Sequence, residues 1–101
     1  MTTQNFIIRY DNKEHFSEEE LQDMFWGDFD DAYLEPIEII EGDHHRWNYT
    51  SSRIYKIEDN RYFEFSAFLA LTEMQENYYD TQPVEVQPVK QTIIVTEWEA
   101  V

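Results

Sequence analysis

The stretch 53-RIYKIEDNRYFEFSAF-68 leaves this chain few options. Residues 53–58 are rich in β-branched and aromatic side chains, Ile54, Tyr55 and Ile57, and alternate well enough to read as a strand. Asp59-Asn60 then supplies two residues that tolerate positive φ, which is a hairpin turn signal. The second arm, 61–68, returns beside the first. Residues 45–50, HRWNYT, alternate in the same way. They are either a separate strand or part of one long strand running across Ser51-Ser52. Trp47, Tyr49, Tyr55, Phe63, Phe65, Phe68 and Trp98 fall at strand spacing and read as core and cross-strand packing.

Further short extended segments surround this hairpin. Residues 5–10, NFIIRY, read as a strand from their apolar, β-branched run. Residues 37–40, IEII, read as another, closed by a turn at Gly42-Asp43. The tail holds a Pro-interrupted extended segment from Pro83 and a final strand at 91–98. Residues 72–79 read as a helical turn capped by Thr72.

One helix is expected, at 18–26. Ser17 and Glu20 form a capping box, and Phe16 and Leu21 occupy the flanking hydrophobic staple positions. Leu21, Met24 and Phe25 share one face, the first turn carries Glu18, Glu19 and Glu20, and Gly27 suits the position after the last turn. Residues 28–36 read as a loop, with Pro36 biasing Glu35 toward extended geometry. The sum is an α+β fold in a single domain, 1–101: an antiparallel sheet of four or five strands with one capped helix near the N-terminus. Leu21, Met24, Phe25, Leu34, Ile37, Ile39 and Ile40 are the expected interior of this half.

The formal charge is −15, from 22 acids against 7 bases. Twelve of the acids lie between Glu14 and His45, a span without Lys or Arg. The remaining ten share the chain with all seven bases, so the imbalance belongs to one segment. Such a chain is repelled by nucleic acid and by anionic lipid, and its macromolecular partners are basic surfaces. Aromatic strands that stack single-stranded bases need a basic groove, which this composition does not offer.

Several chemistries lack their residues. There is no Cys, hence no disulfide framework or thiolate zinc site, which fits a reducing cytoplasm. The N-terminal residues do not form a signal peptide, and no stretch is apolar for long enough to span a membrane. No Gly-rich phosphate loop is present, and no Ser stands in a nucleophile motif. Asp28-x-Asp30 with Asp31 starts like an EF-hand loop, but Tyr33 stands where the loop needs Gly and Ile39 where it needs Glu. His44-His45 are adjacent and on a strand point to opposite faces. The expectation is a protein that is not an enzyme, with no cofactor and no metal site.

The candidate site is therefore the acidic segment, with Glu18, Glu19, Asp23, Asp28, Asp30, Asp31, Glu35, Glu38, Glu41 and Asp43 facing a partner. Trp26, Phe29 and Tyr33 are interleaved with these acids. They either fix the loop to the core or serve as apolar anchors in an interface. A solvated face normally mixes both signs, so a long single-sign segment favours a partner-binding surface over a solubilising coat.

Residues 47–65, the run Leu71–Asn77 (L-T-E-x-Q-E-N), Gln82–Val86 (Q-P-x-E-V) and a last strand ending near Trp98 resemble small acidic proteins of bacteriophages that infect Gram-positive bacteria. The resemblance spans the C-terminal half to two-thirds. It implies a phage-encoded protein acting in the host cytoplasm and carries no known site residues. By analogy of class, small acidic phage proteins are often inhibitors of DNA-binding host defences, of anti-CRISPR, anti-restriction or glycosylase-inhibitor type. The leading expectation is a DNA mimic that occupies the basic DNA channel of a host nuclease or defence complex. The alternative is an interaction or assembly module without mimicry, including a homodimer through a sheet edge such as 91–98.

Overall fold

The computed structural model describes residues 1–44, 48–58, 60–71 and 76–88, with Asp43 and His44 described by their backbone. The class is α+β: two helices, a four-stranded antiparallel sheet and a small two-stranded one.

The chain opens with helix α1, Thr3–Asp11, where the apolar run favoured a strand. Thr2 caps it, its hydroxyl accepting the Asn5 N–H at 3.0 Å. Phe6 and Ile7 are buried and Tyr10 packs beside them, while Ile8 stays half out in solvent. That spacing is helical. A six-residue apolar run is too short for its period to separate helix from strand, and here the cap and the aromatic core decide.

Helix α2, Glu18–Phe25, forms as its local signals require. Ser17 Oγ accepts the Glu20 N–H at 3.2 Å, and Glu20 accepts the Ser17 N–H at 3.0 Å. Phe16 and Leu21 are both buried. Gly27 follows the C-cap Trp26 at φ 74°. A Cβ there would lie 2.4 Å from the Leu34 carbonyl oxygen, so both the conformation and the space demand glycine.

The segment read as a loop contains a minimal hairpin, β1 (Asp28–Phe29) with β2 (Ala32–Tyr33). The main sheet follows in the order β3 (Glu38–His44), β4 (Asn48–Lys56), β5 (Tyr62–Ala70) and β6 (Val84–Val86), every pair antiparallel. β4 is one continuous strand across Ser51-Ser52. The turn into β5 holds Glu58 and Asn60 at positive φ, with Ile57 N–H bonded to Arg61 O at 2.9 Å.

Three further expectations give way to the structure. Gly42 and Asp43 do not form a turn; they lie within β3, where pairing with β4 shifts register between Glu41 and His44. Ile37, Ile39 and Ile40 are not interior but 57, 49 and 43% exposed. The helices pack over β5, through Phe6 against Phe63 and Phe65, and β3 lies at the far side of β4. Finally, Tyr78 is not helical: it bridges Phe68 through two backbone hydrogen bonds of 3.0 and 2.8 Å. Residues 72–75 and the strand expected at 91–98 lie outside the described residues.

The core lies between the helices and one sheet face. β5 contributes Phe63, Phe65, Ala67 and Leu69 in strict alternation, and β4 contributes Ser51 and Tyr55. The Tyr55 hydroxyl reaches across to donate to Phe25 O at 2.6 Å, which satisfies the buried group and ties α2 to the sheet. Among the described residues no helix is long and apolar enough to cross a membrane.

Candidate functional site

The acidic segment divides into two regions of surface. The first joins α2 to the β1–β2 hairpin. Glu18, Glu19 and Asp23 are exposed on α2, with Glu19 and Asp23 one turn apart on the same strip. Leu21, Met24 and Phe25 face the core on the opposite side. In the hairpin Asp28, Asp30 and Asp31 are exposed, and burial of Phe29 holds them against α2. A small cleft of about 100 Å³ gathers Glu20, Asp23, Asp28 and Asp30 around Met1, Met24 and Phe29.

Some of these charges are already engaged. Asp30 accepts from the Met1 ammonium at 2.6 Å, and this hydrogen bond raises the ammonium pKa. Asp31 accepts the Thr3 N–H at 2.9 Å and its hydroxyl at 2.6 Å. Those bonds hold its carboxyl below the usual range. Glu20 is paired with Arg9 and also receives the Ser17 N–H; together these lower its pKa to about 2, the Arg9 bond being the larger cause. Glu18, Glu19, Asp23 and Asp28 make no ion pair among the described residues.

The three aromatics separate. Phe29 is 5% exposed and meets Phe6 edge-on at 6.0 Å, so it fixes the hairpin to the core and is not available to a partner. Trp26 is half-buried: its indole N–H donates to Tyr79 Oη at 3.0 Å, and the Arg53 guanidinium lies 4.4 Å from its ring centre. Tyr33 projects, 76% exposed.

The second region lies on the main sheet. Glu35 is exposed ahead of β3; Glu38 and Glu41 are exposed on it but on opposite faces, since Glu38 pairs with outward Ile54 and Glu41 with Ser51 on the core side; Asp43 is placed in the same strand by its backbone. The structure adds a residue that sequence reasoning did not single out. Glu64 lies across Ile54 from Glu38, because the register pairs Glu38 with Ile54 and Ile54 with Glu64. The alternation of Phe63, Glu64 and Phe65 was the signal, since it turns Glu64 away from the core. Among the described residues no group of three or more His, Asp or Glu is arranged to hold a metal ion. No family model, curated protein or solved structure matches the chain.

Proposed function

We propose that this protein is a non-enzymatic inhibitor that binds the basic DNA-binding surface of a host protein, using carboxylates in place of DNA phosphates. The observation that carries the reading is the joining of α2 to the β1–β2 hairpin. It sets Glu19, Asp23 and Asp28 on adjoining exposed surface, within a 32-residue span that supplies no Lys or Arg. A single-sign field of this kind concentrates cationic partners and speeds their association. Duplex DNA carries one charge per about 1.7 Å of axis, so a dense carboxylate surface is a chemical counterpart to it. Tyr33 is the aromatic placed to add apolar contact. By analogy of class with small acidic phage proteins, the partner class proposed is a DNA-binding nuclease or defence complex in the bacterial cytoplasm.

The test is competition. A tagged chain captures its partner from nuclease-treated host lysate, and the purified partner is titrated with labelled duplex DNA with and without the inhibitor. The expected result is loss of DNA affinity in proportion to inhibitor bound. A partner that binds this protein and still takes up DNA with unchanged affinity overturns mimicry.

A second reading is an interaction or assembly module without mimicry. The exposed Ile37, Ile39 and Ile40 favour it, because exposed apolar groups near a strand edge invite pairing. Glu38 and Glu41 on the same strand oppose pairing with a second copy. Sedimentation at high protein concentration separates these cases, and a monomer excludes the homodimer.

A further inference from the structure

We infer that the outer face of the main sheet carries a seat for a Lys or Arg side chain of an extended basic segment, with Ile54 as its floor and Glu38 and Glu64 as its walls. The inference rests on the reading of the partner as a basic protein, and it names a contact distinct from the surface of α2 and the hairpin. Its origin is the strand register. Glu38, Ile54 and Glu64 form one cross-strand row over β3, β4 and β5. Directly paired residues point to the same face of a sheet. The neighbouring row, Arg53 with Phe65, points to the core side. Two strand spacings separate the carboxylates, about 10 Å between backbones.

The row lies in a groove of about 510 Å³, completed by Ile37, Tyr62, Val86 and Pro88. Its floor is apolar and its charged walls are both anionic. Neither Glu38 nor Glu64 makes an ion pair among the described residues. Lys56 shares the outer face one row away, opposite Tyr62, and has no ion pair among the described residues either.

This combination selects its occupant. A bare metal ion needs oxygens within about 2.0–2.6 Å of itself, and carboxylates on strands this far apart do not converge so closely. An anion meets two like charges, and so does a second copy of this acidic strand. A Lys or Arg side chain matches both features: its methylene stem covers apolar surface while its head stays with the carboxylates. Tyr62 offers an aromatic wall that also favours a cation.

The probe is the capped pentapeptide Val-Arg-Val-Arg-Thr, with Val-Glu-Val-Glu-Thr as its control, titrated into the labelled protein at low salt and followed by amide chemical shifts. The expected result is that the basic peptide alone binds and that the largest shifts fall at Glu38, Ile54, Glu64 and Val86. Changing Glu38→Gln with Glu64→Gln weakens it about fivefold, as two exposed ion pairs of ordinary strength give. Changing Glu76→Gln with Asp80→Asn, two exposed acids outside both surfaces, leaves it within about twofold on the same scale. Shifts centred on α2 and the β1–β2 hairpin, or equal losses from the two pairs, overturn the groove and leave the basic-partner reading standing. Binding of neither peptide overturns the groove and removes the charge premise of that reading as well.

Discussion

The Asp31 carboxylate accepts both the backbone N–H and the hydroxyl of Thr3, 28 residues earlier in the chain. Thr3 opens α1, so an acid from the hairpin sits on the positive end of that helix and adds to the cap made by Thr2. A residue expected to face a partner thus also fastens the first helix to the hairpin.

Replacing Asp31 by Ala is expected to lower the urea midpoint, and Asp31→Asn to recover part of it by keeping an acceptor. Because the Asp31 pKa is depressed in the fold, its contribution is present at neutral pH and disappears in acid. The wild type and the Ala variant should therefore converge in stability as pH falls. Midpoints that fall in parallel at every pH would refute the role.

Glu20 gives a second acid-sensitive contribution with a defined window. Its folded pKa is about 2 and its ordinary value 4.5, so ion pairing with Arg9 stabilises the fold fully above the upper value. The contribution is lost as pH falls through the window toward 2. Glu20→Gln should be less stable at neutral pH and should show a flatter decline between those limits. Denaturant titration across that range measures it.

Phe29 and Tyr33 share one hairpin and predict opposite outcomes. Phe29→Ala empties a core site and should cost about 3–5 kcal/mol, with Phe29→Leu milder. Tyr33→Ala removes an exposed ring and should change stability by less than about 0.5 kcal/mol. If Tyr33 anchors the partner, its loss shows in partner affinity alone. Equal destabilisation by the two Ala changes would contradict the burial assigned to each.

Gly27→Ala should destabilise by about 1–3 kcal/mol, because a positive φ is imposed on a residue with a Cβ. The clash is with the Leu34 backbone oxygen, which side-chain repacking cannot relieve. A variant as stable as the wild type in urea would show that the chain leaves α2 by another path.

Charge reversal tests the surface as a whole. Glu19→Lys, Asp23→Lys and Asp28→Lys change carboxylates without ion pairs among the described residues. Each alone should matter little, since exposed pairs contribute about 0.2–1 kcal/mol. Together they should abolish capture of the partner, while the fold becomes no less stable as self-repulsion falls. Undiminished partner capture by a folded triple variant would leave the acids as a solvated face only.

The parts of the fold legible in the chain are those whose signals are local. Ser17 and Glu20 lie three residues apart and bond each other within one turn, so α2 can be read from them alone. The β4–β5 hairpin is equally local, because a period of two and a tolerant turn specify both arms. The acid-rich span is a fact of composition, independent of fold. Tertiary structure decided the rest, since the same residues serve either conformation until distant partners choose. Phe6 and Ile7 suit a strand or a helix, and Phe63, Phe65 and Asp31, all far along the chain, select the helix. Ile37, Ile39 and Ile40 look like core, yet the helices lie over β5 and leave them exposed. Phe29 and Tyr33 are both aromatics among acids, and only the packing of the hairpin on Phe6 buries one and frees the other. Glu38 and Glu64 are 26 residues apart, and it is strand register, a non-local pairing, that brings them to either side of Ile54.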